Sequence, residues 1–202
     1  MKLQQYIVFG GILTTLLFAS CANRGQGPQG GPRDSIPPVV MKETPLNGTL
    51  NFTGKEIVVQ FDEYIQLDDV QKNVLISPPQ QTPPEVKAIG KKLSVVFQED
   101  LIDSTTYTLD FGPAICDYNE KVPLEGYVFS FSTGDVIDSL AISGKLYDAA
   151  TLNPMPFVIV GIHRNLSDSA LSTIPFTRIT RTDSEGNFII HNIHAGTYRL
   201  YA

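Results

Sequence analysis

From Val39 onward, hydrophobic positions recur with a period of two. Ile57, Val59 and Phe61 alternate with Val58 and Gln60, and Leu93, Val95 and Phe97 alternate with Ser94 and Val96. Tyr107, Leu109 and Phe111 alternate with Thr106, Thr108 and Asp110, and Tyr127, Phe129 and Phe131 with Val128 and Ser130. Successive side chains of a strand point to opposite faces, so each run predicts a strand with one buried face of β-branched and aromatic residues. Turn chemistry separates the runs at Asn47-Gly48, Gly54-Lys55, Pro78-Pro79, Pro83-Pro84 and Gly90-Lys91. No stretch after residue 38 keeps a helical period over three turns. Short strands with frequent turns predict an antiparallel sandwich.

A second strand series follows Ser132-Thr133-Gly134-Asp135. Leu140, Ile142, Gly144 and Leu146 predict one strand face, and Phe157 to Ile162 a compact apolar strand. Thr177 to Thr182 and Phe188 to Ile190 flank Asp183-Ser184-Glu185-Gly186-Asn187, which predicts a hairpin turn with Gly186 at positive φ. Ala195-Gly196 predicts another turn before Thr197-Tyr198-Arg199-Leu200. The sequence then stops inside or just after a strand. An unpaired edge is a liability, so the chain is expected to be part of a longer protein. The expected fold class is all-β, with two tandem antiparallel β-sandwiches at residues 38–134 and 135–202, the second incomplete.

The N-terminus reads differently. Met1-Lys2 is a short positive start, and Tyr6 to Phe18 is apolar apart from Gly10, Gly11, Thr14 and Thr15. A membrane-spanning helix needs roughly 20 apolar residues, so this run fits the apolar region of a signal peptide instead. It ends in Phe18-Ala19-Ser20-Cys21, which resembles the bacterial lipobox, with Phe18 where Leu is usual. That resemblance implies a signal peptide at residues 1–20, cleavage before Cys21, and acyl chains (palmitate among them) that hold Cys21 at a membrane. Ordinary secretory cleavage after Ala22 is the alternative reading. Residues 21–37 carry Gly25, Gly27, Pro28, Gly30, Gly31, Pro32 and Pro37 and predict a flexible lipidated tether.

The net charge of −6 comes without a basic patch, which excludes nucleic acid as an expected partner. If Cys21 is lipidated, Cys116 is the other cysteine and no intrachain disulfide can form. Its apolar setting, Pro113-Ala114-Ile115-Cys116, predicts a buried small hydrophobe.

Several segments taken in order resemble the bacterial Ig-like domain first described in S-layer proteins. They are Pro45-Leu46-Asn47-Gly48, Ile57-Val58-Val59-Gln60-Phe61-Asp62-Glu63, Leu75-Ile76-Ser77-Pro78-Pro79, Thr105-Thr106-Tyr107-Thr108-Leu109 and Phe129-Ser130-Phe131-Ser132-Thr133-Gly134. Ala114 to Glu120 resembles that family's turn before the last strand, without its usual Gly. Ile142-Ser143-Gly144-Lys145-Leu146, Thr182 to Phe188 and Gly196-Thr197-Tyr198-Arg199-Leu200 are similar to a carboxypeptidase regulatory-like domain, a transthyretin-like sandwich. Domains of that type accompany the enzyme and carry none of its zinc ligands. This order of Cys, tether and Ig-like domain resembles lipoproteins of a Gram-negative phylum rich in envelope lipoproteins.

Catalytic signatures are missing. The chain has no nucleophile elbow, His-Glu-x-x-His or phosphate loop, so neither an enzyme nor a cofactor is expected. The histidines His163, His191 and His194 are read as surface residues rather than zinc ligands; His191 and His194, three apart in extended chain, should point to opposite faces. Asp62-Glu63 with Asp68-Asp69, and Asp117, Asn119 and Glu120, are weak calcium candidates. The plainer reading of these acids is solvated turn residues. Without Trp, a glycan platform would rest on Tyr64 and Tyr118, the rings expected to be exposed. Ser35, Ser104, Ser139 and Ser169 each follow Asp and precede an apolar residue or Thr, which resembles the O-glycosylation pattern of that phylum's envelope proteins; ordinary Asp-Ser turn chemistry is the alternative.

Two roles stay open. The first is a non-catalytic envelope module held in the outer membrane by its lipid and presenting sandwich loops or edges to an envelope protein or glycan. The second is an accessory binding subunit for glycan or protein handling at the outer membrane, with its site in a missing C-terminal part. Ala22 directly after Cys21 points to transfer to the outer membrane. The lack of acids before Asp34 points to the periplasmic face rather than the cell surface.

Overall fold

The alternating runs become strands whose inward residues are the predicted ones. The computed structural model describes residues 33–202; the signal peptide, Cys21 and most of the tether fall at residues 1–32, outside the described residues. The first strand series comprises β1 (Val40–Thr44), β2 (Glu56–Phe61), β3 (Ile65–Leu67), β4 (Leu75–Ser77), β5 (Glu85–Ile89), β6 (Lys92–Val96), β7 (Thr106–Asp110), β8 (Ile115–Asp117) and β9 (Val128–Ser132). One helical turn, α1 (Val70–Asn73), sits between β3 and β4, and Asp69 caps it by accepting from the Lys72 amide.

All pairings are antiparallel. One sheet runs β1-β2-β6-β5, a second runs β4-β7-β9, and β3 pairs with β8. The buried faces meet in a single core of Ile57, Val59, Phe61, Leu93, Val95, Phe97, Tyr107, Leu109, Phe111, Phe129 and Phe131, joined by Phe52. Phe131 lies at the centre of an aromatic cluster. Its ring is stacked on Tyr107 at 5.2 Å and meets Phe52 edge-on at 4.7 Å and Phe97 at 5.7 Å. Offset and edge-to-face contacts of this kind add to the burial of each ring.

The second strand series comprises β10 (Leu140–Lys145), β11 (Ile159–His163), α2 (Ala170–Thr173), β12 (Arg178–Arg181), β13 (Asn187–Ile193) and β14 (Arg199–Tyr201). β10 pairs with β13, and β12-β11-β14 form a three-stranded sheet. Val160, Ile162, Phe188, Ile190 and Ile193 make its small core. Both strand series lie in one compact unit, Ser35–Ala202.

Three sequence expectations need correction. Asp183 to Asn187 is a tight turn but not a hairpin, because β12 pairs with β11 and β13 with β10. The turn therefore carries the chain from one sheet to another. Asp183 Oδ1 accepts from the amides of Glu185 and Asn187 at 2.8 and 2.9 Å, and Gly186 takes φ +80°. Local closure looks the same for a hairpin and a corner, so sequence could not tell them apart. Next, Leu140, Ile142, Gly144 and Leu146 do not form one buried face. Leu140 is exposed, and the register slips between Leu140 and Ile142. After that slip Ile142 packs against the core, and a Cβ on Gly144 would lie 2.8 Å from the Phe188 ring. Last, the apolar strand begins at Ile159, and Phe157 stands exposed at φ +59°.

Candidate functional site

The outer face of β7 and β9 carries Thr106, Thr108, Ser130 and Ser132, the polar half of the predicted alternation. A polar outer face normally meets water. Here Thr106, Thr108 and Ser132 are buried: Asn192 of the second strand series engages Thr108, and the amides of Asp138 and Gly134, on the connecting segment, engage Thr106 and Ser132.

Asn192 is the centre of that contact. It sits at the end of β13 in the left-handed region, φ +57°, which Asn tolerates better than most residues. Its Oδ1 accepts from Thr108 Oγ1 at 2.9 Å and Ser130 Oγ at 3.1 Å, and its Nδ2 donates to the Asp138 carbonyl at 2.8 Å. The Asp138 amide in turn donates to Thr106 Oγ1 at 3.0 Å. A second point of attachment lies between β4 and β12. Ser77 accepts from Arg178 Nη1 on its carbonyl at 2.9 Å and from the Ile179 amide on its hydroxyl at 3.1 Å. The side chains of Asn192, Thr106, Thr108, Ser130 and Ser77 are thus hydrogen-bonded at the joint, as burial requires. Asn192→Gly keeps the backbone conformation accessible and removes the amide; unfolding titrations should show a loss of about 1–2 kcal/mol.

Beside the joint opens a cleft of about 930 Å³. Asp138 lies in its wall between two nitrogen-bearing side chains: His194 Nδ1 is 2.9 Å from Oδ1, and Arg178 Nη2 is 3.8 Å from Oδ2. Tyr198 donates its hydroxyl to the His194 carbonyl at 2.8 Å and fixes that loop. Arg178 is buried, and loss of solvent pulls its guanidinium below its usual value while Asp138 works in the opposite direction. Pro78, Pro79, Phe176 and Tyr198 give the cleft apolar walls, and Gln81, Ser104, Thr105 and Thr177 line it with polar groups. His194 with Asp138 has the form of a base and its orienting acid. Among the described residues, however, no Ser, Thr or Cys side chain hydrogen-bonds to His194.

The other candidates are dispersed. Both carboxylate oxygens of Asp117 are occupied: Oδ1 accepts from the Asn119 and Glu120 amides at 2.8 and 2.7 Å, and Oδ2 from Val122 at 2.6 Å. Asp117 therefore organises the turn after β8, and Asn119 and Glu120 serve it through their backbones. Among the described residues no group of three or more His, Cys, Asp or Glu is placed to hold a metal ion. Burial pushes the Cys116 thiol up, and its sulfur lies 3.4 Å from the Pro113 carbonyl. Tyr64 and Tyr118 are exposed, with Lys91 Nζ 5.7 Å from the Tyr64 ring centre. Ser35, Ser104, Ser139 and Ser169 are all exposed; Ser104 stands at φ +50° on the cleft, and Ser139 follows Asp138. His191 and His194 are surface residues, but His163 is not. It is buried and stacked on Phe176 at 4.6 Å, because its position on β11 faces the loop that returns before β12.

No curated protein matches the sequence. Among solved structures, the chain is similar to an L,D-transpeptidase from Mycobacterium smegmatis at 15% identity, covering 81% of this chain and 79% of that one, with a TM-score of 0.34. It is also similar to the N-terminal part of the bacterial S-layer protein SbsC at 16% identity, covering 77% of this chain and 44% of that one, with a TM-score of 0.32. Residues 34–133 match the family model described as bacterial Ig-like domain. The antiparallel sheets and the shared aromatic core over the same residues agree with that match and support an Ig-like domain there.

Proposed function

We propose that the protein is a non-catalytic lipoprotein of the cell envelope, anchored through Cys21 and presenting two β-sandwiches beyond a Gly/Pro tether. The observation that carries this reading is the position of the Ig-like domain. It starts at residue 34, directly after a sequence with the order of a signal peptide, a lipidation cysteine and a tether. Residues 135–202 are read as a carboxypeptidase regulatory-like sandwich. Docked on the Ig-like domain through Asn192 and Arg178, they would be held in a fixed orientation as one presented body.

Replacing Cys21 with Ala removes the only proposed anchor; among the described residues no helix is long and apolar enough to cross a membrane. Cys21→Ala should release the protein from the membrane fraction and abolish incorporation of a clickable fatty acid. Labelling that survives in this variant would refute lipidation at Cys21. The second reading is an accessory subunit for glycan or protein handling at the outer membrane; its site is expected in a further C-terminal part, and the cleft beside the joint offers another place for it.

A further inference from the structure

We propose that the cleft between the two sandwiches binds a neutral, polyhydroxylated ligand, an oligosaccharide. The volume, about 930 Å³, falls in the range of small-molecule sites. The class of ligand follows from the charges of the lining.

Arg178 is almost wholly buried and gives one N–H to Ser77. Its other N–H groups make no hydrogen bond among the described residues, and the side chain lines the cleft. Those remaining donors open onto the cleft, where a bound acceptor can take the place of water. Asp138 stands next to it as an acceptor, held by His194. Of the remaining charged groups, Glu99 is occupied by the amides of Gln81 and Thr82, and Asp100 by Lys55, while Asp135 and Arg164 balance one another in sign.

The site therefore offers fixed donors and fixed acceptors side by side: Arg178 and Arg164 stand among the carboxylates of Asp138, Asp135, Glu99 and Asp100, the last two already engaged by amides and by Lys55. A carboxylate or phosphate needs donors alone and would meet Asp138 and Asp135. An organic cation needs acceptors alone and would meet Arg178 and Arg164. A hydroxyl donates once and accepts twice, so neighbouring hydroxyls on a ring can use Asp138 and Arg178 together. Tyr198, Phe176 and the prolines supply apolar wall for the C–H faces of such rings. Gln81, Ser104, Thr105 and Thr177 extend the polar lining along the cleft.

This inference rests on the reading of the chain as an anchored presenting module, and the two fail separately, since Cys21→Ala bears on the anchor and leaves the cleft unchanged. The test uses the full chain in detergent micelles and saturation-transfer NMR. The probes are neutral tri- to pentasaccharides of glucose, galactose, mannose and N-acetylglucosamine, with a trisaccharide of uronic acid and spermine as charged comparisons. The expected result is binding of at least one neutral probe and weaker binding of both charged ones. Gln81→Ala and Arg164→Ala lie outside the joint, and together they should weaken that binding about tenfold. Arg178→Gln should remove it. The proposal is overturned if no neutral probe binds at millimolar concentration, if a charged probe binds best, or if the paired Gln81→Ala and Arg164→Ala variant binds as tightly as the parent.

Discussion

Phe131→Ala will cost about 3–5 kcal/mol of folding stability, the range for a large aromatic truncated in a packed core. The side chain has no measurable exposure. Its ring contacts Tyr107, Phe52 and Phe97, and lies 6.4 Å from Phe129, so removing it withdraws a partner from four rings at once. The sandwich cannot close the gap by a rotamer change alone, because these rings come from β7, β9 and two loops tied to different strands. Chemical denaturation followed by circular dichroism measures the loss. Phe131→Leu, which keeps more of the volume, should lose clearly less. A loss under 1 kcal/mol for Phe131→Ala would mean that the cluster does not hold the core together.

Asp117→Ala should cost about 2–4 kcal/mol, because it strands three backbone N–H groups that nothing else accepts. Burial alone would raise the Asp117 carboxyl. The amides of Glu120, Val122 and Asn119 outweigh that and hold it below its ordinary value of 3.8. A carboxylate held low in the folded state stabilises fully above the unfolded value, and that contribution fades as pH falls through the folded value. Stability of the parent chain should therefore decline on acidification below about pH 4, and Asp117→Asn should be weaker at neutral pH with a shallower acid limb. Equal acid slopes for parent and Asp117→Asn would assign the acid sensitivity to other carboxyls.

The first sandwich was legible because each of its faces obeys one rule. Ile57, Val59 and Phe61, or Leu93, Val95 and Phe97, are buried every second residue, and nothing in the tertiary structure overrides the period. The second series was less legible because its core is small and its strands are irregular. The register slip in β10 and the exposed Phe157 break the period that a sequence reader follows. The joint escaped notice for a different reason. Thr106, Thr108, Ser130 and Ser132 read as a solvent face because they are polar, and threonine is at home on an exposed strand face, so nothing in the pattern marks this one as covered. The cleft residues Asp138, Arg178 and His194 are spread over 57 positions of sequence, with no spacing rule to connect them. The acids singled out after β8 were visible, but hydrogen bonds to the backbone, which no sequence displays, decide what Asp117 does.

The way the two strand series meet bears on how such chains can be recombined. Each hydroxyl of Thr108 or Ser130 that Asn192 engages can be served equally well by water if the second sandwich is removed. An apolar seam cut at the same place would leave a sticky surface and a tendency to aggregate. A seam of hydroxyls leaves a wettable one. Gene rearrangements that part the Ig-like domain from this neighbour would expose a mixed face, in which the hydroxyls of Thr108 and Ser130 stand beside Leu75 and Val128.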